Sequence, residues 1–246
     1  RDLLENLMSL YPNEQVAGSI KTLLAQSNVP QMQHSVSFWS DFINDWPAIT
    51  ARPLSILNTT YFGTGTGNLY TRSSWNTNAI FVHTIAGLYD QSHAHKDQGS
   101  FMLNVAGTWL FDDANLRSSS GIDGGEAYHN LVRIGSVSQR EGSAPSQIVA
   151  MSDGSLFTYE LMNTRPVYTD PYTNQFLVAK SEREMLFIKS GAVVLFDRAA
   201  ANTAGTPRTF QLQMSGTPTI SGNQLTFTAG GQRADVWRLS PANVPW

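Results

Sequence analysis

The fold is indicated by one central stretch, Phe101-Met102-Leu103-Asn104-Val105, then Ala106-Gly107, then Thr108-Trp109-Leu110-Phe111. Two apolar, β-prone runs on either side of a short turn with glycine predict an antiparallel hairpin. Similar runs, separated by Gly, Pro, Asn and Ser, occur at 79–85, 131–134, 156–161, 176–180, 185–188, 192–196, 210–214 and 225–228. Strands at this spacing predict a mainly β protein built as an antiparallel β-sandwich.

The N-terminal part has a different pattern. Apolar residues recur at helical spacing in two stripes, Leu3, Leu4, Leu7, Met8, Leu10 and then Val16, Ile20, Leu23, Leu24. A third short helix is predicted over Ser35 to Ile43, and Pro47 and Pro53 end the helical pattern. We therefore predict a few α-helices over residues 1–55, followed by the sandwich over residues 56–246.

The composition of the chain excludes several classes of binding site and of membrane segment. Of the 246 residues 41% are hydrophobic, which is enough for a core, and the net charge of -3 gives no basic field to attract nucleic acid. There is no cysteine, so any metal must be held by nitrogen and oxygen ligands. No run approaches the roughly 20 apolar residues of a membrane-spanning helix. The chain starts within a helical pattern and without Met, which is typical of a processed or truncated product.

Polar residues flank the central hairpin at its open end. His95 precedes the first strand and Asp112 follows the second, so the hairpin is expected to bring them to one edge. His129 opens the next predicted strand and adds a second imidazole. With a water as the fourth ligand, this set suits zinc. Asp113 is the alternative carboxylate, since neighbouring aspartates often only form turns.

Other residues around this set have open roles. Asp97 is a candidate to hydrogen-bond a ligand imidazole and fix its tautomer. His93 is then left to face solvent or substrate. Arg72 and Trp75 are candidate substrate-binding residues, although an arginine is more often a surface salt-bridge partner and a tryptophan more often part of the core.

At these residues the chain resembles the heparinase II/III-like polysaccharide lyases. That family carries a His-x-His-x-Asp-x-x-Ser/Gly-Phe motif, then a Gly and an Asp on the next strand, and later a His-Asn pair. The matching residues here are His93, His95, Asp97, Ser100, Phe101, Gly107, Asp112 and His129-Asn130. The resemblance covers roughly residues 50–200.

The resemblance implies an (α/α) toroid followed by an antiparallel β-sandwich, with a substrate cleft between them. It implies one structural zinc held by His95, Asp112 and His129, and a catalytic His93 lining the cleft. The implied reaction is β-elimination on a uronate-containing acidic polysaccharide. Alginate is favoured as the polymer, with heparin, heparan sulfate or another glycosaminoglycan next, and the implied location is secreted or periplasmic in a bacterium.

The chain departs from the family pattern in one way that affects activity. The family's catalytic Tyr lies in the toroid, and residues 1–55 hold no match for it. We therefore expect the chain to need an N-terminal toroid, either covalently attached or as a separate chain. The alternatives are a non-catalytic glycan-binding or structural β-sandwich and a zinc-dependent hydrolase.

Overall fold

The structure is a computed structural model that describes residues 1–27, 48–90, 94–113, 124–241, 244 and 246. It divides into two compact units, Arg1–Asn58 and Thr59–Trp246. Among the described residues, no helix is long and apolar enough to cross a membrane.

The first unit is helical. It contains α1 (Asp2–Leu10), α2 (Gln15–Gln26) and a short 3-10 helix at Leu54–Ile56. Its buried apolar side chains form one cluster: Met8, Ala17, Ile20 and Ile49, with Leu4, Leu7 and Leu24 packed against them. The first two predicted helices are confirmed, and the predicted third, over Ser35 to Ile43, lies outside the described residues.

The second unit consists of short and medium-length strands. They are β1 (Thr60–Gly63), β2 (Asn68–Arg72), β3 (Ile80–Ile85), β4 (Phe101–Val105), β5 (Thr108–Phe111), β6 (Val132–Ile134), β7 (Gln147–Asp153), β8 (Phe157–Asn163), β9 (Val178–Ile188), β10 (Ala192–Ala201), β11 (Arg208–Phe210), β12 (Thr219–Ser221), β13 (Gln224–Ala229) and β14 (Gln232–Trp237). Every strand pairing is antiparallel.

The strands form two larger sheets and two smaller ones. The five-stranded sheet runs in the order β1-β2-β3-β4-β5, and the four-stranded sheet in the order β10-β9-β8-β7. Leu69 and Val82 of the first sheet pack against Met185 and Phe187 of the second, and all four side chains are fully buried. This face-to-face packing confirms the predicted antiparallel β-sandwich.

A second core lies under the central hairpin. Phe101, Leu110 and Phe111 pack against Leu225 and Phe227 of the three-stranded sheet β12-β13-β14. The rings of Phe111 and Phe227 meet edge to face with centroids 5.4 Å apart. The hairpin is therefore held on its inner side by apolar burial, which is the largest favourable contribution to folding.

Two strand predictions were wrong in their bounds. The separate strands predicted at 176–180 and 185–188 are one continuous strand, β9, because the polar residues between them include the buried Ser181 and Arg183. The strand predicted at 210–214 is only β11, which ends at Phe210, with an isolated bridge at Met214.

Candidate metal centre

The hairpin of β4 and β5 sets the geometry of the site. Ala106 and Gly107 have φ values of 51° and 85°, as a tight two-residue hairpin turn requires. The strands pair from Val105 and Thr108 back to Leu103 and Phe111. The chain therefore returns, after Phe111, to the edge at which it entered β4.

Three side chains meet at this edge. His95, Asp113 and His129 each offer one ligand atom, and these atoms all lie within 4.8 Å of one another. The two imidazole rings have centroids 5.3 Å apart, and His129 is fully buried. Two imidazoles and one carboxylate are a donor set that zinc accepts.

The carboxylate in this cluster is that of Asp113 and not of Asp112, which was the preferred residue in the sequence. The backbone N–H of Asp112 donates to the carbonyl of Gln213 at 3.2 Å, next to the isolated bridge between Phe111 and Met214. Its Oδ1 accepts a hydrogen bond from the N–H of Asp113 at 2.8 Å. The side chain of Asp112 is thus engaged by the neighbouring backbone, and Asp113, the alternative that the sequence left open, is the carboxylate placed to be a third ligand.

The orientation of His129 fits a metal ligand. Its Nε2 lies 3.3 Å from the Gly124 carbonyl, which places the proton there and leaves a lone pair on Nδ1. Nδ1 lies 2.7 Å from Oδ1 of Asp113. Both atoms are buried, and neither makes a regular hydrogen bond among the described residues. Two buried donor atoms that converge in this way are suited to share one cation.

The electrostatics of the cluster are dominated by burial and by Asp113. Burial lowers the pKa of His129, but the neighbouring Asp113 carboxylate outweighs this effect and leaves the pKa above its usual value. Burial raises the pKa of Asp97 to about 6, and the adjacent imidazoles offset this only in part. Asp97 accepts a hydrogen bond at 3.1 Å from the side-chain amide of Gln98.

Gly124 is a component that the sequence did not single out. Its carbonyl accepts from the N–H of Lys96 at 2.8 Å and faces Nε2 of His129. A Cβ on Gly124 would lie 2.7 Å from Cδ2 of His95. Only glycine lets this backbone approach the His95 ring so closely.

A buried amide pair supports the loop that carries His95. Oε1 of Gln139 accepts from the N–H of Gln98 at 3.0 Å, and Nε2 of Gln139 donates to the Gln98 carbonyl at 2.9 Å. Glu126 accepts from the N–H of Gln139 at 2.6 Å. Sequence reasoning missed Gln139, because a single glutamine carries no spacing signal.

Asn130 makes hydrogen bonds to the start of β4 and to the residue after β5, next to the cluster. Its side-chain amide donates to the carbonyls of Phe101 and Asp112, each at 2.9 Å, and its N–H donates to Oγ of Ser100 at 3.1 Å. The His-Asn pair therefore has two functions, since His129 joins the cluster while Asn130 holds both strands of the hairpin.

The remaining predicted site residues lie apart or are not described. The Arg72 guanidinium lies over the Trp75 ring at 4.1 Å from its centroid, and its Nε donates to the Ser74 carbonyl at 2.6 Å. His93 lies outside the described residues.

The chain shares its fold with heparinase III structures, as the resemblance implied. A heparinase III with methylated lysines matches with a TM-score of 0.64 at 16% identity, over 93% of this chain and 32% of that one. The heparan sulfate lyase HepC from Pedobacter heparinus matches with a TM-score of 0.62 at 15% identity, over 93% of this chain and 32% of that one. Another heparinase III structure gives 0.64 at 15% identity, over 92% and 33%.

The chain thus spans about a third of the length of the structures it matches. No protein-family model and no curated protein matches the sequence.

Proposed function

We propose that this chain is the β-sandwich part of a polysaccharide lyase that cleaves a uronate-containing acidic glycan. The observation that carries the proposal is the meeting of His95, Asp113 and His129 at the hairpin edge, in a fold shared with heparinase III structures. The toroid of the resemblance is proposed as the partner of the chain, either within one protein or as a second chain.

The proposed reaction is a β-elimination. A base removes the proton at C5 of the uronate, the C5 electron pair forms the C4–C5 double bond, and the bond from C4 to O4 breaks. An acid protonates the departing oxygen. The carboxylate next to C5 must be neutralised, because its charge opposes removal of the proton.

The residues of this chain have distinct proposed roles. His93 neutralises the carboxylate or transfers a proton, and Arg72 with Trp75 binds the acidic sugar. His95, Asp113 and Nδ1 of His129 would hold zinc. The metal would supply structural cross-linking, joining the loop before β4 to the segments after β5 and before β6. The base is proposed to come from the toroid, because the sequence holds no match for the family's catalytic Tyr.

The choice of polymer follows from two sources. All three structures reported above are described as heparinases or a heparan sulfate lyase, which makes heparan sulfate the first polymer to test. Alginate is tested beside it, because the family resemblance slightly favours it. Chondroitin and hyaluronan complete the uronate panel.

The test is the ultraviolet absorbance of the unsaturated product, measured with the full-length protein that contains this chain. We expect a rise on at least one uronate polymer, and a loss of at least about 100-fold in kcat for His93→Ala, as for removal of a general acid or base. Tyr172→Ala is the matched control, because Tyr172 is 95% exposed and lies outside the metal centre. Retention on a glycan column with no unsaturated product would support the binding-module alternative instead.

A further inference from the structure

The outer face of the five-stranded sheet carries a row of stacked rings. Tyr61, Tyr70 and His83 lie side by side on β1, β2 and β3 in register. Their neighbours Leu69 and Val82 are buried inside the sandwich, so strand alternation turns this row outward. Ring centroids are 6.5 Å apart for Tyr61 and Tyr70, and 4.7 Å apart for Tyr70 and His83.

The rings of the row are accessible. Tyr61 is 67% exposed and Tyr70 is 39% exposed. A parallel line of side chains lies beside the row, where Arg72 pairs with Phe81 in register and Phe81 meets Trp109 edge to face at 6.0 Å. The result is a broad, partly exposed aromatic surface, in which Tyr70 stacks on His83 and Tyr61 is the most exposed ring.

The charge of this sheet favours an anionic ligand. Strands β1 to β5 contain no Asp or Glu, and Arg72 is their only Lys or Arg. An acidic chain lying across this face would meet one cation and no carboxylate on these strands. A cationic ligand would find no counter-charge on them.

The row leads toward the metal centre. His83 pairs with Met102, which follows Phe101 at the start of β4. Burial lowers the pKa of His83 to about 4, and the negative charge of Asp113 partly offsets this effect. His83 is therefore neutral near pH 7, and its Nε2 lies 2.7 Å from Oδ1 of Asn68, which holds the ring in place.

We propose that Tyr61, Tyr70 and His83 form a sugar-stacking row that binds the acidic glycan beyond the sugar at which it is cleaved. This inference rests on the proposed function. Sugar rings present apolar C–H faces that aromatic rings can cover, and polar edges that remain in water. The row extends in one line across three adjacent strands, which suits an extended glycan better than a compact ligand.

The test uses the full-length protein and heparan sulfate and alginate fragments of increasing length. Tyr61→Ala and Tyr70→Ala are expected to raise KM about tenfold for long fragments, with kcat unchanged, because uniform binding is lost. Fragments too short to reach the row should show no change. Tyr70→Phe should behave as the unchanged protein, since stacking needs the ring and not the hydroxyl.

Phe196→Ala is the matched control, because Phe196 is a 52% exposed aromatic residue on the four-stranded sheet. An unchanged KM for long fragments in Tyr61→Ala, which removes an exposed side chain and should fold normally, would overturn the stacking row. If the unaltered protein forms no unsaturated product from any uronate polymer, the proposed function itself fails. The two failures are therefore distinguishable.

Discussion

The two large sheets of the sandwich differ in the charged residues on their outer faces. On the four-stranded sheet, Glu184 pairs with Arg198 and accepts a hydrogen bond from the Tyr159 hydroxyl, and Lys180 pairs with Glu182 at 3.1 Å. The five-stranded sheet has an aromatic face with no carboxylate on its strands, and the candidate metal centre lies at its edge. One sheet thus satisfies its own charges, while the other leaves its face available to an acidic ligand.

The sheets also depend on each other through one buried residue. Arg183 of β9 forms a two-pronged ion pair with Asp197 of β10, at 2.6 and 3.0 Å. Its Nη1 also donates to the carbonyls of Gly99 and Asn130, each at 2.7 Å. The four-stranded sheet therefore supports the loops that present the candidate metal centre.

Of the changes that test the difference between the sheets, replacement of Arg183 should lower the free energy of unfolding most. Arg183→Met would leave Asp197 unpaired and two carbonyls unsatisfied, and should lower the free energy of unfolding by about 3–5 kcal/mol. Chemical denaturation measures this loss. A loss similar to that of a surface arginine would show that the guanidinium does not connect the sheets.

A buried carboxyl between the sheets should give a smaller, pH-dependent effect. Glu160 of β8 is fully buried, and neither of its oxygens has a hydrogen-bond partner among the described residues. Burial raises its pKa to about 7, although Thr84 and Arg183 lower it in part. The protonated form therefore stabilises the fold fully below about pH 4.5, and this contribution is lost as pH rises to about 7.

Glu160→Gln should remove this pH dependence. Its free energy of unfolding should exceed that of the unaltered protein by about 1–3 kcal/mol at pH 8, and the difference should vanish near pH 4.5. Denaturation curves at several pH values check this. A difference that does not change with pH would contradict a raised Glu160 pKa.

The smallest effect is expected on the outer face of the four-stranded sheet. Arg198 contacts Glu182 and Glu184, but its side chain is 38% exposed. Because solvent screens such pairs, Arg198→Met should cost no more than about 1 kcal/mol. Arg198→Met is also the matched control for Arg183→Met. Equal losses of unfolding free energy in the two variants would show that the buried Arg183 contributes no more to stability than the exposed Arg198.

Much of the fold could be predicted from the sequence, because apolar runs and turn residues show directly in it. The hairpin at 101–111 and strands β3, β8, β10 and β13 follow from such runs. Strand β9 was divided in the prediction because it buries Ser181 and Arg183, and the buried arginine is satisfied by Asp197 and by two backbone carbonyls far away in the sequence. Strand β7 was not predicted, since most of its side chains are exposed.

The position of the candidate site could be predicted from the sequence, but not all of the residues that form it. Chain reversal at Ala106 and Gly107 brings both ends of the hairpin together, which the sequence indicates. The hairpin has a register shift between Leu103 and Asn104, and no sequence pattern indicates which of the two neighbouring aspartates beyond it meets the imidazoles. Contacts by backbone groups, such as the Gly124 carbonyl, leave no signal in residue types.

We propose that the edge of the five-stranded sheet holds a metal centre built on Asp113. The most direct measurement is elemental analysis of the purified protein beside Asp113→Asn and Asp112→Asn. We expect about one zinc per chain in the unaltered protein and in Asp112→Asn, since asparagine can still accept from the N–H of residue 113. We expect loss of the metal and a lower melting temperature in Asp113→Asn. Metal-free unaltered protein, or equal metal content in all three proteins, would contradict a metal centre built on Asp113.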